Sequence, residues 1–247
     1  MRMKRFDDTD DPRRRTLIQL LAFGAFLPQS VSALAASVFG SKPDKLPEGQ
    51  SIYRIDGTAS VNGTPATLQT KVNPGDTLQT GPKSELVFVS GGHSMIMRAD
   101  SRMTLETAPG AATSTTSVMS GLRMLAGKVL SVSRNTRINV TTGTATIGIR
   151  GTGFYMEAEP DRTYFCTCYG ITEVSANKDP DSKETIAAKQ HDRPVYILAD
   201  EGRGKNIRNA PFVNHTDQEL MLIETLVGRS PPFVFPKDIY NAPRRTY

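Results

Sequence analysis

Thr144-Ala145-Thr146-Ile147-Gly148-Ile149-Arg150-Gly151-Thr152-Gly153-Phe154-Tyr155-Met156-Glu157 alternates small or polar residues with β-branched and aromatic ones. A period of two is the mark of a strand. The glycines at 148, 151 and 153 do not form a dinucleotide-binding loop. They lie between strand-like runs, and no helix follows to receive a phosphate. Gly151 and Gly153 are read as places where a bulge or a positive φ is needed. Arg150 has two readings, a turn arginine holding a strand end or a contact for an anionic ligand.

Outward from this stretch the same pattern repeats in both directions. Upstream lie Ile52-Tyr53-Arg54-Ile55-Asp56, Thr58-Ala59-Ser60-Val61, Glu85-Leu86-Val87-Phe88-Val89, Ser94-Met95-Ile96-Met97-Arg98 and Met103-Thr104-Leu105-Glu106. Leu122 to Val132 and Ile138 to Thr142 continue the series. Asn62-Gly63 between β-prone runs predicts a hairpin. Asn73-Pro74-Gly75-Asp76 predicts a turn, and the Thr-Leu-Gln-Thr segments at 67–70 and 77–80 predict a local hairpin around it. The expectation is an all-β fold, with short antiparallel strands in a sandwich, barrel or β-roll and one C-terminal α-helix. That helix is expected at about 217–227. Thr216 with Glu219 makes a capping box, Leu220, Ile223, Leu226 and Val227 form an apolar stripe, and Gly228 followed by Pro231-Pro232 ends it.

Gly75-Asp76-Thr77-Leu78-Gln79-Thr80-Gly81, then short apolar strands, then Gly127-Lys128-Val129 and Ile147-Gly148-Ile149-Arg150-Gly151-Thr152-Gly153-Phe154 appear in an order that resembles the FecR-type periplasmic domain, named for the regulator of iron-dicitrate transport. The Ile-Arg-Gly-Thr-x-Phe element is its most specific part, and the resemblance covers roughly residues 50–175. It implies an all-β domain used for sensing or binding rather than catalysis. The iron-dicitrate regulator has a sigma-factor-binding region and a membrane helix before this domain. Here about a dozen residues precede the first apolar run, so the expectation is a stand-alone exported domain.

The N-terminal segment reads as an export signal. Arg13-Arg14-Arg15-Thr16-Leu17-Ile18 leads an apolar run to Leu27, followed by Ala33-Leu34-Ala35, which fits an A-x-A cleavage pattern. The run is too short to span a bilayer. Arg14-Arg15-Thr16-Leu17-Ile18 resembles a twin-arginine signal, which implies export of a folded protein to the bacterial periplasm. The organisation expected is signal peptide 1–35, linker 36–50, β domain 51–175, C-terminal extension 176–228 and a Pro-rich tail 229–247. No stable membrane span is expected after cleavage.

Across 247 residues, 38% are hydrophobic and 22% charged, a soluble globular composition. Removal of residues 1–35 takes away six Lys/Arg and four Asp, leaving 24 basic and 21 acidic side chains. No dense basic run remains before Arg244-Arg245, which removes the electrostatic support for nucleic-acid binding. The partner expected is an envelope protein or a small ligand.

The two cysteines are Cys166 and Cys168, in Tyr164-Phe165-Cys166-Thr167-Cys168-Tyr169. Strand spacing puts both sulfurs on one face with Cα atoms about 6.7 Å apart, the outer limit for a disulfide. Downstream lie His191 and His215. Two sulfurs and two imidazoles make a tetrahedral donor set suited to zinc, or a soft site for copper or iron. The spacing is not that of a compact finger, so the fold would have to assemble the set. The alternatives are two core thiols with two unrelated surface histidines, or a redox pair. His93, between Gly92 and Ser94, reads as a solvated turn residue, and Gly92-His93-Ser94-Met95-Ile96 lacks the closing glycine of a nucleophile elbow. Three functional classes follow: a non-enzymatic sensory or ligand-binding protein with a bound metal ion, a thiol-redox or metal-dependent enzyme centred on Cys166 and Cys168, and an envelope scaffold.

Overall fold

The computed structural model describes residues 44–107, 118–200 and 202–232. The export signal, the centre of the loop after Thr107 and the end of the Pro-rich tail lie outside the described residues. Among the described residues thirteen strands form one sheet, and every pairing is antiparallel. They are β1 Ile52–Asp56, β2 Ala59–Val61, β3 Thr64–Pro65, β4 Thr77–Thr80, β5 Glu85–Ser90, β6 His93–Met97, β7 Arg102–Thr107, β8 Met119–Thr141, β9 Ala145–Ala158, β10 Arg162–Ala176, β11 Asp179–Ala188, β12 Val195–Leu198 and β13 Ile207–Asn209. Helix α1, Asp217–Leu226, follows. The all-β expectation with one C-terminal helix therefore holds. The sheet does not close into a barrel.

The strands up to β7 are as short as their sequence patterns. The next three are not: β8 has 23 residues, β9 has 14 and β10 has 15. Glycines and bulges bend these strands where the pattern suggested breaks. In β8, residues near its start pair with β7 and residues 129–133 pair with β6, so one strand serves two parts of the sheet. The bend falls at Gly127, whose φ is +92°. A Cβ there would lie 2.4 Å from the Ser101 Cα, so only glycine lets β8 pass the Ser101 turn.

Asn62 and Gly63 carry positive φ between Val61 and Thr64, the hairpin that their sequence predicts. The Thr-Leu-Gln-Thr echo is not a hairpin. Residues 77–80 are β4, pairing with β2 and β7, whereas 67–70 form a turn in which the Thr70 hydroxyl accepts from the Thr67 N–H. Local side-chain bonding of this kind draws Thr out of strands.

Alternation along β5, β6, β8, β9 and β10 divides their side chains between two cores. Phe88, Met95, Val129, Phe154 and Phe165 point into the larger one, with Leu78, Met103 and Leu122 from β4, β7 and β8 also in it. Val87, Ile96, Leu130, Tyr155 and Cys166 point to the opposite face, where Leu220, Ile223 and Leu226 of α1 cover them. Burying these three helix side chains contributes on the order of 5 kcal/mol of transfer free energy. The helix is short, so this contact and its cap hold it in place.

Candidate metal centre

The second core is where the chemistry gathers. Cys166 lies on β10 opposite Tyr155, and the ladder between β9 and β10 slips between Thr167 and Tyr169. The bulge leaves Cys168 without a partner in the register, and both Cys168 and Tyr169 end in the helix-covered core. Gly153 makes room for this. A Cβ there would lie 2.5 Å from the Tyr169 ring. The Tyr169 hydroxyl donates to Glu224 of α1. Both cysteines are free thiols and fully buried.

His191 arrives from the turn between β11 and β12. Its backbone N–H donates to the Cys168 carbonyl at 3.0 Å, and its φ of +51° turns the chain at that point. His215 lies just before the Thr216 N-cap of α1 and is fully buried. The four donor atoms of Cys166, Cys168, His191 and His215 all lie within 4.8 Å of one another. The tertiary structure thus brings together the four residues that the sequence singled out, and the two histidines are not surface residues.

The ring orientations are set from outside the cluster. His191 Nε2 lies 2.7 Å from Asp217 Oδ1, and His215 Nδ1 lies 2.7 Å from the Val213 carbonyl. Each contact suits an N–H, so in the uncharged rings that a metal ion would require, the opposite nitrogen of each ring faces inward with its lone pair. These are His191 Nδ1, 3.5 Å from the Cys166 sulfur, and His215 Nε2, 3.1 Å from His191 Nδ1. Outer acceptors that fix the tautomer are the usual support of metal-bound histidine. A tetrahedral zinc ion would require edges of about 3.3 Å between two nitrogens and about 3.6 Å between nitrogen and sulfur. The observed separations sit close to both.

Without a metal ion, the cluster settles its charges internally. Burial pushes the Cys166 thiol up, but the hydrogen bonds from Cys168, His191 and His215 outweigh it and bring the thiol well below its ordinary value. Burial and the neighbouring Cys166 push Cys168 the other way. Burial alone lowers His191; Asp217 and Cys166 reverse this and raise it to about 9. Aromatic rings wall the cluster. Tyr155 stacks on His215 with centroids 4.5 Å apart, and Phe212 lies 4.4 Å from His191 and 4.5 Å from His215.

Sequence reasoning missed Asp217, although a carboxylate in the first turn of a capped helix directly after His215 was visible. It also misplaced His93. The imidazole begins β6 and is buried at 4% exposure, because the turn occupies only Gly91 and Gly92. Arg150 is exposed on β9 opposite Arg137 of β8, in a hollow with Glu173, and belongs to no part of the cluster.

Among curated proteins none matches this sequence. Two crystal structures of a candidate anti-sigma factor from Parabacteroides distasonis are similar. One has a TM-score of 0.42 and 14% identity, covering 59% of this chain and 70% of that one. The other has a TM-score of 0.41 and 16% identity, covering 66% and 82%. Residues 76–170 match the model of the family described as FecR protein. Both cysteines fall inside that match and both histidines lie beyond it, so the cluster joins the matched region to the segment that follows it. Over Asp76 to Gly170, less than half of its length, this chain is similar to the FecR protein family.

Proposed function

We propose that the protein is an exported, non-enzymatic regulator of the bacterial envelope that holds one metal ion through Cys166, Cys168, His191 and His215. The observation that carries this reading is the convergence of the four donors, with the outer nitrogen of each imidazole already engaged by Asp217 or Val213. The FecR-type match supports the regulatory part. Zinc fits the donor set best, with its two sulfurs and two nitrogens and with the His191–His215 and Cys166–His191 separations near tetrahedral edges. In that role the ion would tie β10, the β11–β12 turn and the entry to α1 together. The Arg14-Arg15 signal agrees with export of a folded, metal-loaded protein.

The enzyme reading draws on Cys166, His191 and Asp217, which lie in a line suited to a thiolate nucleophile. Against it stands the complete burial of Cys166, which a substrate would have to reach.

Elemental analysis of protein exported through its own signal and purified without chelator tests the proposal, with thiols titrated in the same samples. About one equivalent of metal is expected in the wild type and none in the Cys166→Ser, Cys168→Ser double variant. A metal-free wild type with two titratable thiols overturns it.

A further inference from the structure

A second site lies on the other core. Ser90, His93, Ser133 and Thr152 are directly opposite one another on β5, β6, β8 and β9. Alternation puts them on the face that carries Phe88, Met95, Val129 and Phe154. They are 3%, 4%, 0% and 0% exposed, and Ser90 Oγ, His93 Nδ1, Ser133 Oγ and Thr152 Oγ1 have no hydrogen-bond partner among the described residues. One orphaned hydroxyl is unremarkable. Four polar groups in a row across neighbouring strands would cost several kcal/mol unless something satisfies them, and Ser131, next along β8 on the same face, adds a fifth.

The row opens at one end. Ser90 and His93 line a cleft of about 780 Å3, together with Lys45, Lys71, Met119 and Leu226. Arg229, just beyond α1, reaches over the same turn. Its Nη1 donates to the Gly92 carbonyl at 3.0 Å and its Nε pairs with Glu224 at 2.7 Å, while its Nη2 is buried without a hydrogen-bond partner. Burial, with Arg229 adding to it, lowers the His93 imidazole to about 4. At neutral pH, His93 is therefore an uncharged hydrogen-bonding group; Lys45, Lys71 and Glu48 are the charged groups that line the cleft, and Arg229 lies close enough to act on His93.

We propose that this cleft binds a small oxyanion-bearing molecule, a carboxylate or a phosphate, whose anionic oxygens accept from the Ser90 hydroxyl and the Nδ1–H tautomer of His93, with Lys45, Lys71 and the neighbouring Arg229 supplying the positive charge. The hydroxyls of Ser133 and Thr152 extend the polar lining inward and suit a ligand that carries a further polar group. The site shares no side chain with the Cys–His cluster and does not depend on it.

The sequence has three histidines, so ring resonances report each site separately. The full chain is titrated with sodium acetate and, separately, with inorganic phosphate, at constant ionic strength against chloride. The His93 ring signals are expected to shift saturably with one of the two anions while those of His191 and His215 hold. Acetate saturation identifies a carboxylate site and phosphate saturation a phosphate site. Ser90→Ala and Arg229→Gln should each weaken the apparent affinity about tenfold, the loss of one buried hydrogen bond or of one neighbouring charge. Ser90→Ala keeps the test informative should loss of Arg229 loosen α1. No saturable His93 shift with either anion overturns the proposal and leaves the row to water. Unchanged affinity in both variants overturns it as well.

Discussion

His93 shows how far burial can move a single residue from its ordinary chemistry. Held down at about 4 by its surroundings and by Arg229, it stays neutral in the fold while the unfolded chain takes up a proton near pH 6.5. The unfolded state therefore binds more protons between these values. Unfolding free energy must fall as the pH drops from about 6.5 to about 4, by up to about 3 kcal/mol from this group. Urea unfolding at several pH values in chloride buffer should show that slope in the wild type and a flatter one in His93→Gln. An equal slope in both would place the effect elsewhere. At the same scale, Gly153 and Gly127 are required by close approach, to the Tyr169 ring and to the Ser101 backbone respectively.

Helix α1 concentrates more of the design than its ten residues suggest. Its capping box is complete: Thr216 accepts from the Glu219 N–H, and the Glu219 carboxylate accepts from the Thr216 N–H. Glu219 also pairs with Arg98 of the loop after β6, at 2.8 Å. Asp217 orients His191, and His215 sits one residue before the cap. Cap and cluster thus share one turn of chain. Thr216→Ala should lower the unfolding free energy by about 1 kcal/mol, read from urea titration. It should also speed release of bound zinc to a chromophoric chelator, because the cap sits between His215 and Asp217, the support of His191. Normal release kinetics with the expected stability loss would separate the cap from the cluster.

At the scale of the whole molecule, the four donors come from three separate segments, on β10, the β11–β12 turn and the lead into α1. An ion held this way binds only the folded chain, so it adds stability by mass action. Calorimetry of the protein as isolated, before and after excess chelator, should show a fall in Tm and a return on adding zinc. The Cys166→Ser, Cys168→Ser variant should show neither change. Since the larger core lies on the opposite face of the sheet from the cluster, the chelated protein is expected to keep its β signature in circular dichroism.

Local chemistry alone determined the alternation of the strands, the Asn62-Gly63 hairpin, the positive φ at Gly151, and the capped helix from Asp217 to Leu226. Each depends on the conformational preferences of a few adjacent residues, and those preferences are written in the order of the chain. The resemblance carried by Ile149 to Phe154 likewise required no coordinates. Tertiary structure decided the remainder. It joined segments with strand-like patterns into the long bent strands β8, β9 and β10, a choice made by pairing with distant neighbours. It placed His191 and His215 against Cys166 and Cys168 across separations of 23 and 47 residues from Cys168, which no period can encode. And it buried His93 and aligned it with Ser90, Ser133 and Thr152, because cross-strand register is a property of the sheet and not of any one strand.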